Sequence, residues 1–517
     1  MTLKWSYLVL VVILIITAAG WSMMSQRPSY ENIGSKVIRL SSLETSRVFV
    51  TEAIPHYERG SDVEDYTTAF DVETYPVVNG QVEIPISRTP VFIECEEPGS
   101  LQSGLPKNLS STFGIEGWIV VLRPMFEEGM SEQEVEQFLE ERIQTVLDVG
   151  IGVNRVHPSN VPTCFTWNVI DPDLDGRNFD FHWQDLLVKK LQETGIDLLI
   201  SLSPDSNWEE DESYPPSDDK AYQRFVEAVV ERYDGDGKDD MPGLKWGIKL
   251  WQLDNEPDLR HKVRGRFPPE DYFYVLKLTS EAVKKADPDA IMILGPCAGS
   301  TQMATDSKGY FQDVMNLGAK EYIDAVSIHF YPLSYRIEEI RSYFDNMTAV
   351  FGEDMPIYVT EAGEAVRYGF LPQNVVPDQR KAAESVIRNY VYILINYPAE
   401  KIFPIGHTGG LDIVSMKNPQ ISGPSLAKFS YKLLIEKLGD MDWRKVEKIK
   451  DGEDNLYLYK CPKKGSSKSI YVAWWDYFAE HPNEDLKITS HGPQLQPASG
   501  QRLQVPKEIR KSKNFRR

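Results

Sequence analysis

From about Phe113 to about Leu438, short apolar runs alternate with longer stretches whose apolar positions recur at helical spacing. The short runs at Val153–Val156, Asp197–Leu202, Lys249–Leu253, Ile291–Leu294, Ala325–His329, Ile357–Thr360 and Lys401–Ile405 predict buried parallel strands. An eighth is expected in or close to Gly117–Leu122. Between them, Ser131–Val149, Trp183–Thr194, Ala221–Tyr233, Pro269–Ala286 and Gln379–Asn396 carry the amphipathic period of helices. Ser131 with Glu134 forms a capping box at one helix start, and Gly150 and Gly195 stand where helices should end. Alternating strand and helix of this kind predicts an α/β fold, a (β/α)8 TIM barrel over residues 110–438. A doubly wound sheet would need a glycine-rich phosphate loop ahead of a helix, and no such loop occurs.

The pattern changes at both ends. Val37–Leu40, Arg47–Val50, Val82–Ser87 and Pro90–Cys95 read as short strands, with Asn79-Gly80 as a turn. Leu456–Cys461 and Ser469–Trp475 read as a hairpin around Lys463-Lys464-Gly465. Neither end alone has enough strands to bury a face. Residues 35–100 and 440–505 are therefore expected to pair into one accessory β-sandwich beside the barrel.

Two further segments fall outside the folded part. Lys4 precedes an uncharged apolar stretch that runs to Gln26, so residues 1–27 read as a signal peptide or signal anchor. The chain is then exported, either secreted or anchored to a membrane with its bulk outside the cytoplasm. Residues 506–517 form a basic tail.

Composition narrows the function. A chain of 517 residues, 41% hydrophobic and 26% charged, is an ordinary globular sequence that can bury a large core. Its formal net charge of −21 argues against nucleic acid, which needs a basic face. A neutral carbohydrate suits it better. Cys95, Cys164, Cys297 and Cys461 are too scattered for a disulfide framework, and the eight histidines form no metal-ligand cluster. No cofactor and no metal are expected.

Chemistry concentrates at strand ends. Lys249-Leu-Trp-Gln-Leu-Asp-Asn255-Glu256-Pro257 sets a carboxylic acid where a buried strand meets a loop, and Ile357-Tyr-Val-Thr-Glu361 does the same. Glu361 lies 105 positions beyond Glu256, three βα units on, so the two belong to strands four and seven. Those strands face each other across the C-terminal mouth of a barrel. A carboxyl pair held so can cleave a glycosidic bond, Glu256 as acid/base and Glu361 as nucleophile. Asn255 could bind a sugar hydroxyl, and Arg155, ending the second strand, could hold Glu361 ionised. His329 and Tyr331 share a face at the end of strand six, where the phenol could orient Glu361.

These segments resemble the large clan A of retaining glycoside hydrolases, in its β-xylosidase-like and cellulase-like forms. The likeness covers about residues 110–435, including Phe181-His-Trp-Gln-Asp185, Ala286-Asp-Pro-Asp-Ala290 and Ala325-Val-Ser-Ile-His-Phe-Tyr-Pro332. It implies a retaining β-glycosidase acting on polysaccharides or oligosaccharides by double displacement, with a β-sandwich beside the barrel. Many relatives carry a tryptophan at the end of strand eight, and some a histidine after strand three. Here Ile405-Gly-His407 and Ser201-Leu-Ser-Pro-Asp-Ser-Asn-Trp208 stand instead, leaving His407 and Trp208 as the candidate polar contact and stacking surface. A transglycosylase would use the same residues, and a non-catalytic carbohydrate-binding scaffold on a degenerate barrel is the alternative from another class.

Overall fold

The computed structural model describes residues 34–101, 110–117, 119, 129–204, 215–258, 267–298, 304–332, 334–363, 378–406, 411–413 and 423–485. The apolar N-terminal segment, the basic tail, Trp208 and His407 lie outside them. Strands β1 (Lys36–Leu40), β2 (Arg47–Glu52), β3 (Val72–Pro76), β4 (Val82–Ile86) and β5 (Val91–Glu94) come first. The barrel strands follow: β6 (Ser110–Glu116), β7 (Ile151–Val156), β8 (Asp197–Ser203), β9 (Leu250–Leu253), β10 (Ile291–Cys297), β11 (Ala325–Phe330), β12 (Ile357–Ala362) and β13 (Ala399–Pro404). After each comes one of the helices α1 (Glu132–Val149), α2 (His182–Thr194), α3 (Asp219–Tyr233), α4 (Pro269–Ala286), α5 (Ala304–Asn316), α6 (Ile337–Phe351), α7 (Gln379–Asn396) and α8 (Leu426–Leu438). The chain then adds β14 (Glu447–Asp451), β15 (Leu456–Pro462) and β16 (Ser469–Trp475).

Consecutive barrel strands pair in parallel, and β13 pairs with β6 to close the ring. The expected (β/α)8 barrel is therefore present, and no sheet edge is left in it. Local signals act as the sequence suggests. The Ser131–Glu134 capping box starts α1, and Gly150 ends it at φ 90°.

The first barrel strand lies immediately before the stretch around which it was expected. It is Ser110–Glu116 rather than Gly117–Leu122, and of the expected stretch only Gly117 and Ile119 are described. An unbroken run of large apolar residues looks more like a buried strand than Thr-Phe-Gly-Ile-Glu does. In β6 only alternate positions, Phe113 and Ile115, pack outward against the helices. The other face turns inward.

That inward face sets where polar side chains gather in the barrel. Val153, Leu199, Leu250, Ile293, Ala325, Tyr358 and Phe403 form an apolar cluster of their own inside the ring. Gly114 completes it: a Cβ there would lie 2.4 Å from the Phe403 ring and 3.0 Å from Val153. Two residues further along each strand, alternation brings the next inward positions toward the C-terminal mouth. On the first six strands these are Glu116, Arg155, Ser201, Gln252, Gly295 and Ser327. The interior thus changes from hydrocarbon to polar within one layer.

The accessory layers draw on both ends of the chain. A six-stranded antiparallel sheet runs β14-β15-β16-β5-β2-β3, joined at its centre where β16 pairs with β5 from Ile470↔Glu94 to Ala473↔Val91. One face, with Val48, Val50, Ile93, Leu458, Tyr471 and Trp475, packs on Ile38, Leu40, Val82 and Ile84 of the β1–β4 pair. Phe92, Tyr457, Tyr459, Val472 and Trp474 on the other face join the barrel core. Polar contacts fix the seam: Lys437 donates to Glu94 at 2.5 Å, and Arg88 and Thr89 donate to Glu384 at 3.2 and 3.0 Å. Strands β3 and β14 were not expected from the sequence. They are the two edges, mostly exposed, and Val-Glu-Thr-Tyr-Pro and Glu-Lys-Ile-Lys-Asp carry little apolar signal. The four cysteines are free thiols.

The packing around Gly114 is testable. Gly114→Val should lower unfolding free energy by about 1–3 kcal/mol through overpacking, and Phe403→Leu in the same chain should recover part of it. Urea unfolding of the single and double variants measures both. Equal stability of Gly114→Val and the parent would contradict an inward-facing Gly114.

Candidate active site

Glu256 and Glu361 reach the same point by two different distortions of regular backbone. In β12, Tyr358 faces the interior and Val359 the helices. Simple alternation would then aim Thr360 inward and Glu361 outward. Register with both neighbours shows otherwise. Ile328↔Val359 is followed by His329↔Glu361, and Val359↔Ile402 by Ala362↔Pro404. One extra residue therefore sits in β12, a bulge that turns Glu361 to the inside.

At β9 the strand stops at Leu253 and the chain turns hard. Asp254 and Glu256 both adopt left-handed conformations, φ 60° and 45°. Such non-glycine residues cost about 1–3 kcal/mol each and persist only where surroundings hold them. Here Asp254 donates its amide to Leu202 O at 2.7 Å and accepts the Asn255 amide on its carboxylate at 2.8 Å. Two strained residues around Asn255 project the amide and the acid over the barrel axis.

Arg155 joins these pieces. Its side chain is fully buried, and each of its nitrogens donates to a different partner. Nη1 reaches Glu361 Oε1 at 3.0 Å, Nη2 reaches Asn255 Oδ1 at 2.7 Å, and Nε reaches Gln252 Oε1 at 3.1 Å. Gln252 in turn donates to Asp254 O at 3.1 Å. The second Glu361 oxygen accepts the Tyr331 hydroxyl at 2.5 Å. His329 Nδ1 lies 2.8 Å from Glu256 Oε1 and 3.4 Å from Glu361 Oε2, so one imidazole touches both acids. One oxygen of each acid and that ring nitrogen all fall within 4.8 Å of one another.

Six of the eight residues singled out in the sequence thus converge: Asn255, Glu256, Glu361, Arg155, His329 and Tyr331. Trp208 and His407 lie outside the described residues. A trio of two carboxylates and an imidazole also has the spacing of a cation site. Arg155 already places a guanidinium on Glu361, and a second cation there would meet its repulsion. Asp234, Asp236 and Asp240 also approach within 4.8 Å of one another after α3, where Asp240 accepts the amides of Gly235 and Gly237. That group lies apart from the barrel mouth.

One residue of the site escaped the sequence reading. Glu116, at the end of β6, is 4% exposed and registers against Arg155. Burial, then the nearby charges of Glu361 and Glu256, push its carboxyl up to about 8 against the opposing pull of Arg155. The signal was available in the alternation Phe113-Gly114-Ile115-Glu116, which faces Glu116 into the barrel beside Gly114.

No family model matches the chain, and no curated protein sequence matches it either. Among solved structures, it is similar to a family 39 glycoside hydrolase from the gut symbiont Bacteroides cellulosilyticus WH2. The two share 15% sequence identity with a TM-score of 0.50, over 86% of this chain and 87% of that one. A glucosidase from Croceicoccus marinus aligns at 13% identity and TM-score 0.46, over 70% of this chain and 77% of that one. A GH39 β-xylosidase from Caulobacter crescentus aligns at 17% identity and TM-score 0.41, over 69% and 79% respectively. At such identities the first of these speaks to the fold alone: a barrel of the kind on which such hydrolases are built.

Glu116 makes stability depend on pH in a defined direction. A carboxyl raised to about 8 holds a proton in the folded chain that the unfolded chain releases near its ordinary value. Its contribution is fully present at low pH and is lost as pH rises through the window up to about 8, by up to about 1.4 kcal/mol per pH unit. Glu116→Gln removes that slope. Urea unfolding at pH 5 to 9 should show the variant gaining on the parent as pH rises; a constant difference would mean that Glu116 carries no such proton.

Proposed function

We propose that this chain is an exported retaining β-glycosidase that hydrolyses polysaccharides or oligosaccharides by double displacement. The observation that carries the reading is the approach of Glu256 and Glu361 oxygens to within 4.8 Å across the barrel mouth. Retaining enzymes hold their carboxyl groups ~5–5.5 Å apart, whereas inverting ones leave ~6.5–9.5 Å for an intervening water. The short separation favours direct attack by one acid. Export rests on the apolar segment after Lys4, which could also anchor the chain to a membrane.

The roles follow from the partners. Glu361 accepts from Arg155 and Tyr331 on opposite oxygens, which orients a carboxylate for attack on the anomeric carbon. Glu256 gives its proton to the glycosidic oxygen as that bond breaks, and the sugar becomes an ester of Glu361. The leaving alcohol departs. Glu256, now a carboxylate, takes a proton from water while that water attacks the anomeric carbon and frees Glu361. Asn255 Oδ1 is held by Arg155 Nη2, so its Nδ2 is the end presented to a sugar hydroxyl. His329 sits against Glu256 and positions it between the two steps.

Two variants test the assignment. Glu361→Ala should lower turnover of aryl β-glycosides by about 10⁴-fold or more, with azide restoring part of it as a glycosyl azide. Glu256→Ala should slow substrates with poor leaving groups far more than 2,4-dinitrophenyl glycosides. NMR should show the β-anomer as first product. Wild-type rates in Glu361→Ala, or the α-anomer appearing first, would remove the nucleophile and the double displacement with it.

A further inference from the structure

Glu116 is a buried acid for which the two-carboxylate mechanism has no use. Its side chain faces the interior by alternation with Gly114, whose absent Cβ would press on Phe403 and Val153. Its backbone is pinned by register with Arg155 and by the Gly406 amide donating to its carbonyl at 2.7 Å. Among the described residues the charges that act on it are Glu361 from β12, Arg155 from β7 and Glu256 from the turn after β9. No hydrogen bond from these or any other described residue reaches its carboxyl group. A carboxyl only 4% exposed that receives no hydrogen bond from the described residues keeps hydrogen-bonding capacity in reserve. In a pocket built for a polyol, the substrate can take it up.

We propose that Glu116 forms the floor of the pocket and binds a hydroxyl of the sugar ring seated over Glu361, so that the site takes neutral, hydroxyl-bearing sugars and turns away uronic acids. The idea rests on the glycosidase reading above and names its substrate class. Three glutamates surround the position, and Arg155 acts on Glu116 and pairs with Glu361. That guanidinium already serves Glu361, Asn255 and Gln252. A uronate would add a further negative charge beside these carboxyl groups, whereas a hydroxyl can give to or accept from a carboxyl group. The upward shift of Glu116 favours the neutral acid, which can both donate and accept.

The test compares wild type, Glu116→Ala and Glu116→Gln on 4-nitrophenyl β-xyloside, β-glucoside, β-galactoside and β-glucuronide. On the best neutral substrate, Glu116→Ala should lose about 10²–10³-fold in kcat/KM, and Glu116→Gln should regain at least about tenfold of that. With the monodeoxy analogue lacking the contacted hydroxyl, wild type and Glu116→Ala should differ by less than about threefold. The glucuronide should be turned over at about a hundredth of the best neutral rate or less. Wild-type kinetics in Glu116→Ala, an equal loss on every deoxy analogue, or preference for the glucuronide would each overturn the proposal. If wild type cleaves none of the four, the glycosidase reading fails separately. Saturation-transfer NMR with methyl β-xyloside, β-glucoside and β-galactoside then decides: binding lost in Glu116→Ala but kept in Glu116→Gln supports the contact. Equal binding by all three proteins, or none by wild type, sinks it.

Discussion

A fully buried guanidinium is costly to place in a protein, and Arg155 is tolerated because β9, the turn after it and β12 supply three acceptors for it. Glu361 offers charge, while Asn255 and Gln252 offer neutral oxygens in directions that suit the planar fork. Remove any one and the charge is left partly unsatisfied inside the barrel. The arrangement therefore does two things. It stabilises the buried cation, and it fixes the relative positions of residues from β7, β9 and β12 to within hydrogen-bond tolerance. His329 on β11 and Tyr331 just after it complete the frame from the far side of Glu361. The separation of the two acids is a consequence of that frame.

Regular backbone could not have achieved it. The bulge in β12 and the paired left-handed residues after β9 are two places where the barrel departs from ideal geometry, and each aims a glutamate. Below them the interior is ordinary hydrocarbon packing, with Val153, Leu199, Leu250 and Ile293 in one layer. A stiff apolar floor lets the layer above it hold unfavourable conformations.

Much of this could be read in the sequence because barrel strands leave a strong trace. Buried parallel strands are apolar throughout, and an acid that ends such a run is conspicuous, as with Glu256 and Glu361. The repeat length even placed them on facing strands. What escaped has physical causes. Glu116 was missed because β6 alternates Phe113 and Ile115 with a glycine and an acid, whereas the neighbouring Trp118–Leu122 is uniformly apolar. The bulge at Thr360 was invisible because no local residue type demands it; only register with β11 and β13 reveals it. Strands β3 and β14 were missed because edge strands of a covered sheet need little hydrophobicity. The junction of the chain's two ends was legible only by elimination, since each set of strands was too small to bury a face.

That junction governs how the protein can be made. β5 emerges from the ribosome early, yet β16, the partner that covers one of its edges, is synthesised only after the entire barrel. Pairs such as Glu94 with Ile470 are among the least local contacts a chain of this length can form, so their loop-closure cost is met late. Until then the nascent N-terminal hairpins expose a hydrophobic face and a bare hydrogen-bonding edge, the features that chaperones grip. A chain stopped short of β16 would keep every residue of the candidate site and still lack the strand that shields its beginning. A product truncated there would carry the bare β5 edge that full-length chains cover.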